Sequence, residues 1–278
     1  MKRRTGITAS INHTVGALFI SQILFSAGVL FFYRISPTNT GVVTFVLATT
    51  AIHVGLWIFL SIMHEHFVLI HTGEKLARIN FANVLTLVRI SSIPTAALLL
   101  VLVQYHPVLP VLLPLIAVIF LTDLFDGAVA RGTRQITRIG KYLDSISDYA
   151  VLIVVSVAMA VYSMIPDWFF ILILFRLLFQ LVGMGALLLY QGYLHPSASL
   201  LGKASIFATM TLYGFEVLAL AKGLQSVLLP AANLLEYIAA AIVCLSLAEK
   251  VFHLKKGFVE AKETVKKQAA SRQRPPID

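Results

Sequence analysis

The sequence predicts an all-α integral membrane protein of eight spanning helices, and three observations carry that prediction. The chain has 278 residues, 58% of them apolar and 13% charged, whereas soluble domains run at about 45–50% apolar and about 25% charged. Its apolar residues gather in stretches of about 20, the length that crosses a hydrocarbon core. Its basic residues fall between alternate stretches rather than evenly along the chain. Inside lipid every backbone group must be satisfied within the segment, so the spans are expected to be helices.

The first stretch, 14–33, follows Met1-Lys2-Arg3-Arg4. It is long for a signal peptide and leads into Tyr33-Arg34-Ile35-Ser36-Pro37 rather than a small-residue cleavage site, so it reads as an anchor helix. The second, 42–63, completes a hairpin over residues 1–72 with no acidic residue in either span. His64, Glu65 and His66 follow, but on a helix positions two apart point about 200° away from each other, so His64 and His66 cannot share an ion there. The segment from Glu74 to Phe81 sets charged beside apolar residues and is expected to lie along the membrane interface. Six further spans are read at 84–104, 107–129, 145–166, 168–191, 200–221 and 227–249, within a unit bounded at 73–252. The remaining residues, 253–278, alternate Lys and Glu at helical spacing and read as a charged surface tail. Cys244 is the only cysteine, so no disulfide framework exists and the thiol reads as packing.

The net charge of +9 raises nucleic acid as a partner, and the location of the charge argues against it. With the N-terminus cytoplasmic, 18 of the 22 Lys and Arg fall in cytoplasmic segments; Arg34 and Lys222 fall outside, and Arg89 and Arg176 within spans. That is the positive-inside pattern for an even number of helices with both termini cytoplasmic. The basic surface therefore faces the anionic leaflet, and membrane lipids are the expected partner.

Acidic residues inside spans are costly and mark function by default. Asp123, Asp126, Asp144 and Asp148 lie in one short window. Asp123, Asp126, Gly127 and Ala130 stand at i, i+3, i+4 and i+7 and share a helix face, as do Asp144 and Asp148 at i and i+4. The intervening loop is short, so the two acidic faces meet as antiparallel neighbours near the cytoplasmic end. Carboxylates that close repel strongly unless cations neutralise them. An all-oxygen set selects a hard divalent ion, Mg²⁺ or Mn²⁺. Gly127, Ala130 and Gly140 leave room for a ligand beside the backbone, and Arg131, with Arg134, Arg138 and Lys141, offers positive charge to phosphate. Carboxylates, metal and arginine together describe a site that handles a diphosphate.

These residues form the string D-x2-D-G-x2-A-R-x8-G-x3-D-x3-D, complete at every fixed position. The string resembles the signature of the CDP-alcohol phosphatidyltransferase family, and the resemblance covers about residues 78–250. It implies a six-helix family core with two extra N-terminal transmembrane helices. It implies that Asp123, Asp126 and Asp144 bind metal, that Asp148 contacts a second ion and acts as the catalytic base, and that Gly127, Ala130, Arg131 and Gly140 line the CDP pocket. Asn83, Thr86 and Arg89, three apart at the entry of the third span, resemble the family residues that border the nucleotide. Gly202-Lys203-Ala204-Ser205 is similar to the Gly-Lys-x-Thr of phosphatidylglycerophosphate synthases, although Ser205 replaces the threonine and Gly183-Met184-Gly185 stand where a second arginine is expected. Arg138, Arg176 and Lys203 are thus the acceptor-binding candidates, and Arg176 is also expected to find a partner in Glu216, Glu236 or an anion. The implied activity is transfer of a phosphatidyl group from CDP-diacylglycerol to a small polar alcohol, glycerol 3-phosphate first, with release of CMP. The alternative enzyme is a CDP-choline or CDP-ethanolamine phosphotransferase acting on diacylglycerol, and the non-enzyme alternative is a membrane transporter or channel. Homodimerisation is a further family expectation.

Overall fold

The computed structural model describes residues 2–191, 199–220 and 224–272, in two compact units that divide between Tyr162 and Ser163. Lys222 and Arg274, placed on opposite sides above, lie outside the described residues. The first unit holds α1 (Lys2–Phe32), α2 (Asn39–Ile62) with a single 3₁₀ turn after it (Met63–His66), α3 (Phe81–Ser91), α4 (Ile93–Leu102), α5 (Leu109–Gly132) and α6 (Arg138–Val161). The second holds α7 (Asp167–Gln191), α8 (Leu200–Ala219) and α9 (Gln225–Arg272). No strand forms among the described residues, only two isolated bridges.

Among the described residues six segments are long and apolar enough to cross a membrane: Gly6–Phe32, Asn39–His66, Phe81–Leu102, Leu109–Gly132, Arg138–Val161 and Gln225–Gly257. The protein is therefore a multi-pass, all-α membrane protein. The expected spans at 168–191 and 200–221 form α7 and α8 but are not among the six. In α8, Lys203, Glu216 and the small or hydroxylated Gly202, Ser205, Thr209 and Gly214 dilute the hydropathy. Small and hydroxyl residues of this kind let membrane helices pack closely. Residue 221, and several side chains of α7, lie outside the described residues.

Helix starts follow from local chemistry. Thr38, Asn80, Thr137 and Ser199 each take an N-cap position and accept a hydrogen bond from the backbone N–H three residues on, satisfying a donor the helix leaves orphaned. The span read as one helix over 84–104 is two, α3 and α4, interrupted at Ser92. Pro94 is the cause, since it has no N–H for the Ile90 carbonyl and its ring crowds that carbonyl. Helix α9 runs unbroken through residue 252, so the charged tail continues the last span as one helix.

Within the first unit α1 packs on α2, and α3 packs on both α5 and α6. Seven residues of the short α3 are buried, Asn83, Thr86 and Arg89 among them, so polar groups are carried to the centre of an apolar bundle. The chain leading into the segment expected along the interface, residues 67–76, folds into a tight loop. Gly73, at φ +70°, reverses the chain, and Leu69 and Leu76 bond back across it to Glu74 and Phe67. The same loop pairs with the approach to α6 through Ile70 N–H to the Ile136 carbonyl (2.9 Å) and Arg138 N–H to the Val68 carbonyl (3.1 Å).

Candidate active site

The chemistry-bearing residues of the first unit converge on α3. Thr86 donates from Oγ1 to the Asp126 carboxylate at 2.7 Å, and Asp126 is buried. One turn along α3, Arg89 is 3% exposed and reaches α6 with Nε and Nη2. Its Nε donates to Ser147 Oγ at 2.5 Å, and its Nη2 lies 3.4 Å from Asp144 Oδ1 and 3.3 Å from Asp148 Oδ1. Asp126 stands close enough to both Arg89 and Asp144 for their charges to interact. Helical spacing does this, because residues three and four apart share a face, and α3 faces α5 on one side and α6 on the other. Asp123 lies on α5, and its side chain is outside the described residues.

Thr86 and Arg89 are expected to border a nucleotide; in the structure both are bonded to the aspartates. Asn83 has a different setting. Its side-chain amide exchanges hydrogen bonds with Thr137 Oγ1 at 3.1 and 3.2 Å, and Thr137 also caps α6 by accepting from Gly140 N–H at 3.0 Å. A Cβ on Gly140 would sit 2.6 Å from Asn83 Oδ1 and 2.8 Å from Thr137 Oγ1, so this glycine lets α3 and α6 touch. Gly127 is covered by Arg131, whose Nη1 would lie 3.1 Å from a Cβ there. Ala130 is partly buried and Arg138 exposed at the start of α6.

Among the described residues no group of three or more His, Cys, Asp or Glu side chains is gathered tightly enough to hold an ion. The donor set nonetheless fits a hard cation: Asp126, Asp144 and Asp148 offer only oxygen, and Asp144 and Asp148 are 55% and 30% exposed at their side chains. Arg89 is the positive group that now holds Asp144 and Asp148 together. His64 and His66 do not converge: His64 Nδ1 lies 2.8 Å from the Ser61 carbonyl, Glu65 pairs with Lys75, and the His66 ring meets Tyr142 edge-on.

In the second unit Arg176 is 1% exposed and donates from Nη2 to the Gly202 carbonyl at 3.2 Å. Ser205 Oγ donates to the same carbonyl at 2.7 Å. The expected pairing of Arg176 with Glu216 or Glu236 is corrected here. Gly202 is 14 residues before Glu216 on α8, about 21 Å along the axis at 1.5 Å per residue, farther than a guanidinium reaches. Glu216 and Glu236 lie close enough for their charges to interact with each other. Lys250 is the residue that sequence reasoning missed. Its Nζ lies 3.7 Å from where a Gly202 Cβ would stand, and its charge interacts with that of Arg176. Just ahead of the tail, it hid beside the tail's lysines, although Ser246 and Lys250 share a helix face at i and i+4. Lys203 is exposed. Ser147 was also missed, three residues after Asp144 on the same helix.

Comparison with known proteins gives the family. A family model described as CDP-alcohol phosphatidyltransferase matches residues 79–248, from the start of α3 to well into α9. A protein of Streptomyces coelicolor (strain ATCC BAA-471 / A3(2) / M145) described as cardiolipin synthase (CMP-forming) is 33% identical over 102 residues. That stretch is 37% of this chain and 46% of the relative, so the chain spans under half of the relative's length. The family match covers more than half of the chain and contains all eight fixed positions of the aspartate string, and the chain belongs to the CDP-alcohol phosphatidyltransferase family.

Proposed function

We propose that the protein is a phospholipid-synthesising transferase that moves a phosphatidyl group from CDP-diacylglycerol to a small polar alcohol bearing a phosphate, glycerol 3-phosphate first, and releases CMP. The observation that carries this reading is the gathering of Asp126, Asp144 and Asp148 about Thr86 and Arg89. Asp123, Asp126, Asp144 and Asp148 would hold two divalent ions, Mg²⁺ or Mn²⁺. Bound there, such ions neutralise a diphosphate and stabilise a departing phosphate.

The protein's own groups supply the remainder. Asp148 takes the proton of the acceptor hydroxyl. The hydroxyl oxygen bonds to the β-phosphorus as the bond from the β-phosphorus to the bridging oxygen breaks, and CMP departs with that oxygen on its α-phosphate. Arg89 holds Asp144 and Asp148 in register, which matters because positioning dominates phosphoryl chemistry. Gly127, Ala130 and Arg131 are assigned to the CDP moiety, with the Arg131 fork available to a phosphate. Arg138 of the first unit and, separately, Arg176, Lys203 and Lys250 of the second are the candidates for the phosphate of the acceptor. A homodimer, and both termini in the cytoplasm, belong to the same reading.

A second acceptor is favoured by the Streptomyces relative. Cardiolipin carries two phosphatidyl groups on one glycerol, so making it with release of CMP needs an acceptor that already bears one. Glycerol 3-phosphate and a phosphatidyl-bearing glycerol both present a phosphate near a free hydroxyl, so Arg176 and Lys250 beside Gly202 suit either.

The test is CMP release from CDP-diacylglycerol by the purified protein in lipid vesicles, with glycerol 3-phosphate, phosphatidylglycerol, inositol phosphate and no acceptor in parallel. Chelation by EDTA is expected to abolish release and added Mn²⁺ or Mg²⁺ to restore it. Asp148→Asn is expected to lose about 10²–10⁴-fold in kcat with an unchanged elution profile. A folded Asp148→Asn protein with wild-type turnover would overturn the mechanism. Release from CDP-choline with diacylglycerol, and not from CDP-diacylglycerol, would overturn the donor.

A further inference from the structure

The matched family region begins at residue 79, which leaves the α1–α2 hairpin outside it. A hairpin serving only as an anchor would meet the rest of the first unit through apolar side chains. This one also meets it through buried polar ones. Gln22 of α1 takes both sides of the break between α3 and α4, donating from Nε2 to Ser92 Oγ at 3.3 Å and accepting from Thr95 Oγ1 at 2.6 Å. Ser26, one turn on, lies 3.4 Å from the same Thr95 hydroxyl. His53 of α2 spans from Thr49 to α3, with Nδ1 2.7 Å from the Thr49 carbonyl and Nε2 2.8 Å from Ser91 Oγ. A carbonyl only accepts, so Nδ1 carries the proton, and the neutral ring accepts from the Ser91 hydroxyl at Nε2. Gln22, Ser26, Thr49, His53, Ser91, Ser92 and Thr95 are all buried.

Such a network is costly unless complete, and when complete it fixes one arrangement of the helices that share it. It sits where Pro94 removes the backbone hydrogen bond to the Ile90 carbonyl, at the junction of α3 and α4 where a helix bends most readily. Arg89 is two residues before Ser91 and carries Asp144, Asp148 and Ser147. The hairpin also grips the other partner of that contact, because the loop after it pairs with Ile136 and Arg138 at the start of α6.

We propose that the N-terminal hairpin is a positioning device for the aspartate site, in which His53 and Gln22 act through Ser91 and Ser92 to fix Arg89 against Asp144 and Asp148. This rests on the reading above that those aspartates hold metal. It adds that residues far outside the family region set how well they do so.

The probe is Mn²⁺ alone, followed by its protection of the full-length protein against heat in detergent, with CMP release measured separately. His53→Leu and Gln22→Leu are expected to raise the Mn²⁺ concentration for half-protection at least tenfold. Both are expected to lower kcat by a similar factor, with KM for CDP-diacylglycerol within threefold of wild type. His53→Gln, whose amide reaches the place of Nε2, is expected to recover both to within about threefold. In an Arg89→Lys background His53→Leu is expected to add less than twofold. A folded His53→Leu protein with an unshifted Mn²⁺ midpoint would overturn the proposal, as would full additivity with Arg89→Lys. Should His53→Leu not fold, Ser91→Ala, which removes only the hydroxyl, reads the same midpoint and decides the matter. Wild-type protein protected by Mn²⁺ that releases no CMP would sink the proposed function and leave the positioning role standing. Wild-type protein that Mn²⁺ does not protect would overturn both.

Discussion

Gly127 and Gly140 look alike in the motif, yet their surroundings differ. A Cβ at Gly140 would press within 2.8 Å of Asn83 Oδ1 and Thr137 Oγ1, two atoms locked to each other by hydrogen bonds. At Gly127 the nearest atom is the far end of Arg131, 3.1 Å away, and an exposed arginine can swing aside. Gly140→Ala is therefore expected to cost about 1–3 kcal/mol, the scale of overpacking in a filled interior. Gly127→Ala is expected to stay within about 0.5 kcal/mol of wild type and to weaken binding of the CDP donor. Thermal unfolding in detergent distinguishes them, and equal losses at both sites would contradict this account. The aspartates were legible in the sequence because i, i+3 and i, i+4 spacing fixes a shared face before any fold is known. The separate role of Gly140 was not legible, because it depends on Asn83, which is 57 positions away in the chain.

At the scale of elements, α6 owes its position to its first turn. Thr137 caps the helix, bonds Asn83 of α3 in both directions and is 2% exposed. Thr137→Val keeps the shape and removes the hydroxyl, which deletes the cap and strands the Asn83 amide inside the bundle. A lost cap costs about 1 kcal/mol and a stranded buried polar group about 1–3 kcal/mol. The variant is expected to be destabilised by about 2–4 kcal/mol and to lose activity, since Asp144 and Asp148 follow on the same helix. An unchanged melting midpoint would show that the Asn83 contact carries nothing. Helix existence and order were legible from hydropathy, and Pro94 offered a visible reason for the broken third span. The joints between elements were not legible. Gln22, His53 and Ser92 each pass for an isolated polar residue in an apolar run, and only contacts across 38 to 73 positions reveal a network. Arg176 failed for the same reason, because depth along a span does not say which way a side chain turns.

At the scale of the whole molecule, the distribution of charge predicts how the chain threads the bilayer. Lys2, Arg3 and Arg4 open α1, while Arg131, Arg134 and Arg138 surround the turn from α5 to α6. By contrast the turn from α1 to α2 holds only Arg34. Cytoplasmic loops carry the excess of Lys and Arg, so the turn at 33–38 is expected on the far side and the turn at 133–137 in the cytoplasm. The count of spans does not alter this expectation, because α1 and α2 with the first family helix determine the side on which α5 ends. A Cys244→Ser background removes the one exposed thiol. Thr40→Cys and Thr133→Cys, both at exposed positions, then report the two faces to a maleimide that cannot cross the membrane. In sealed right-side-out vesicles Thr40→Cys is expected to label and Thr133→Cys to stay protected until detergent is added. Inside-out vesicles are expected to reverse the order. Labelling of both from one side would contradict the threading. It would also remove the reason for placing the aspartate site on the face where a water-soluble acceptor and the released CMP are exchanged.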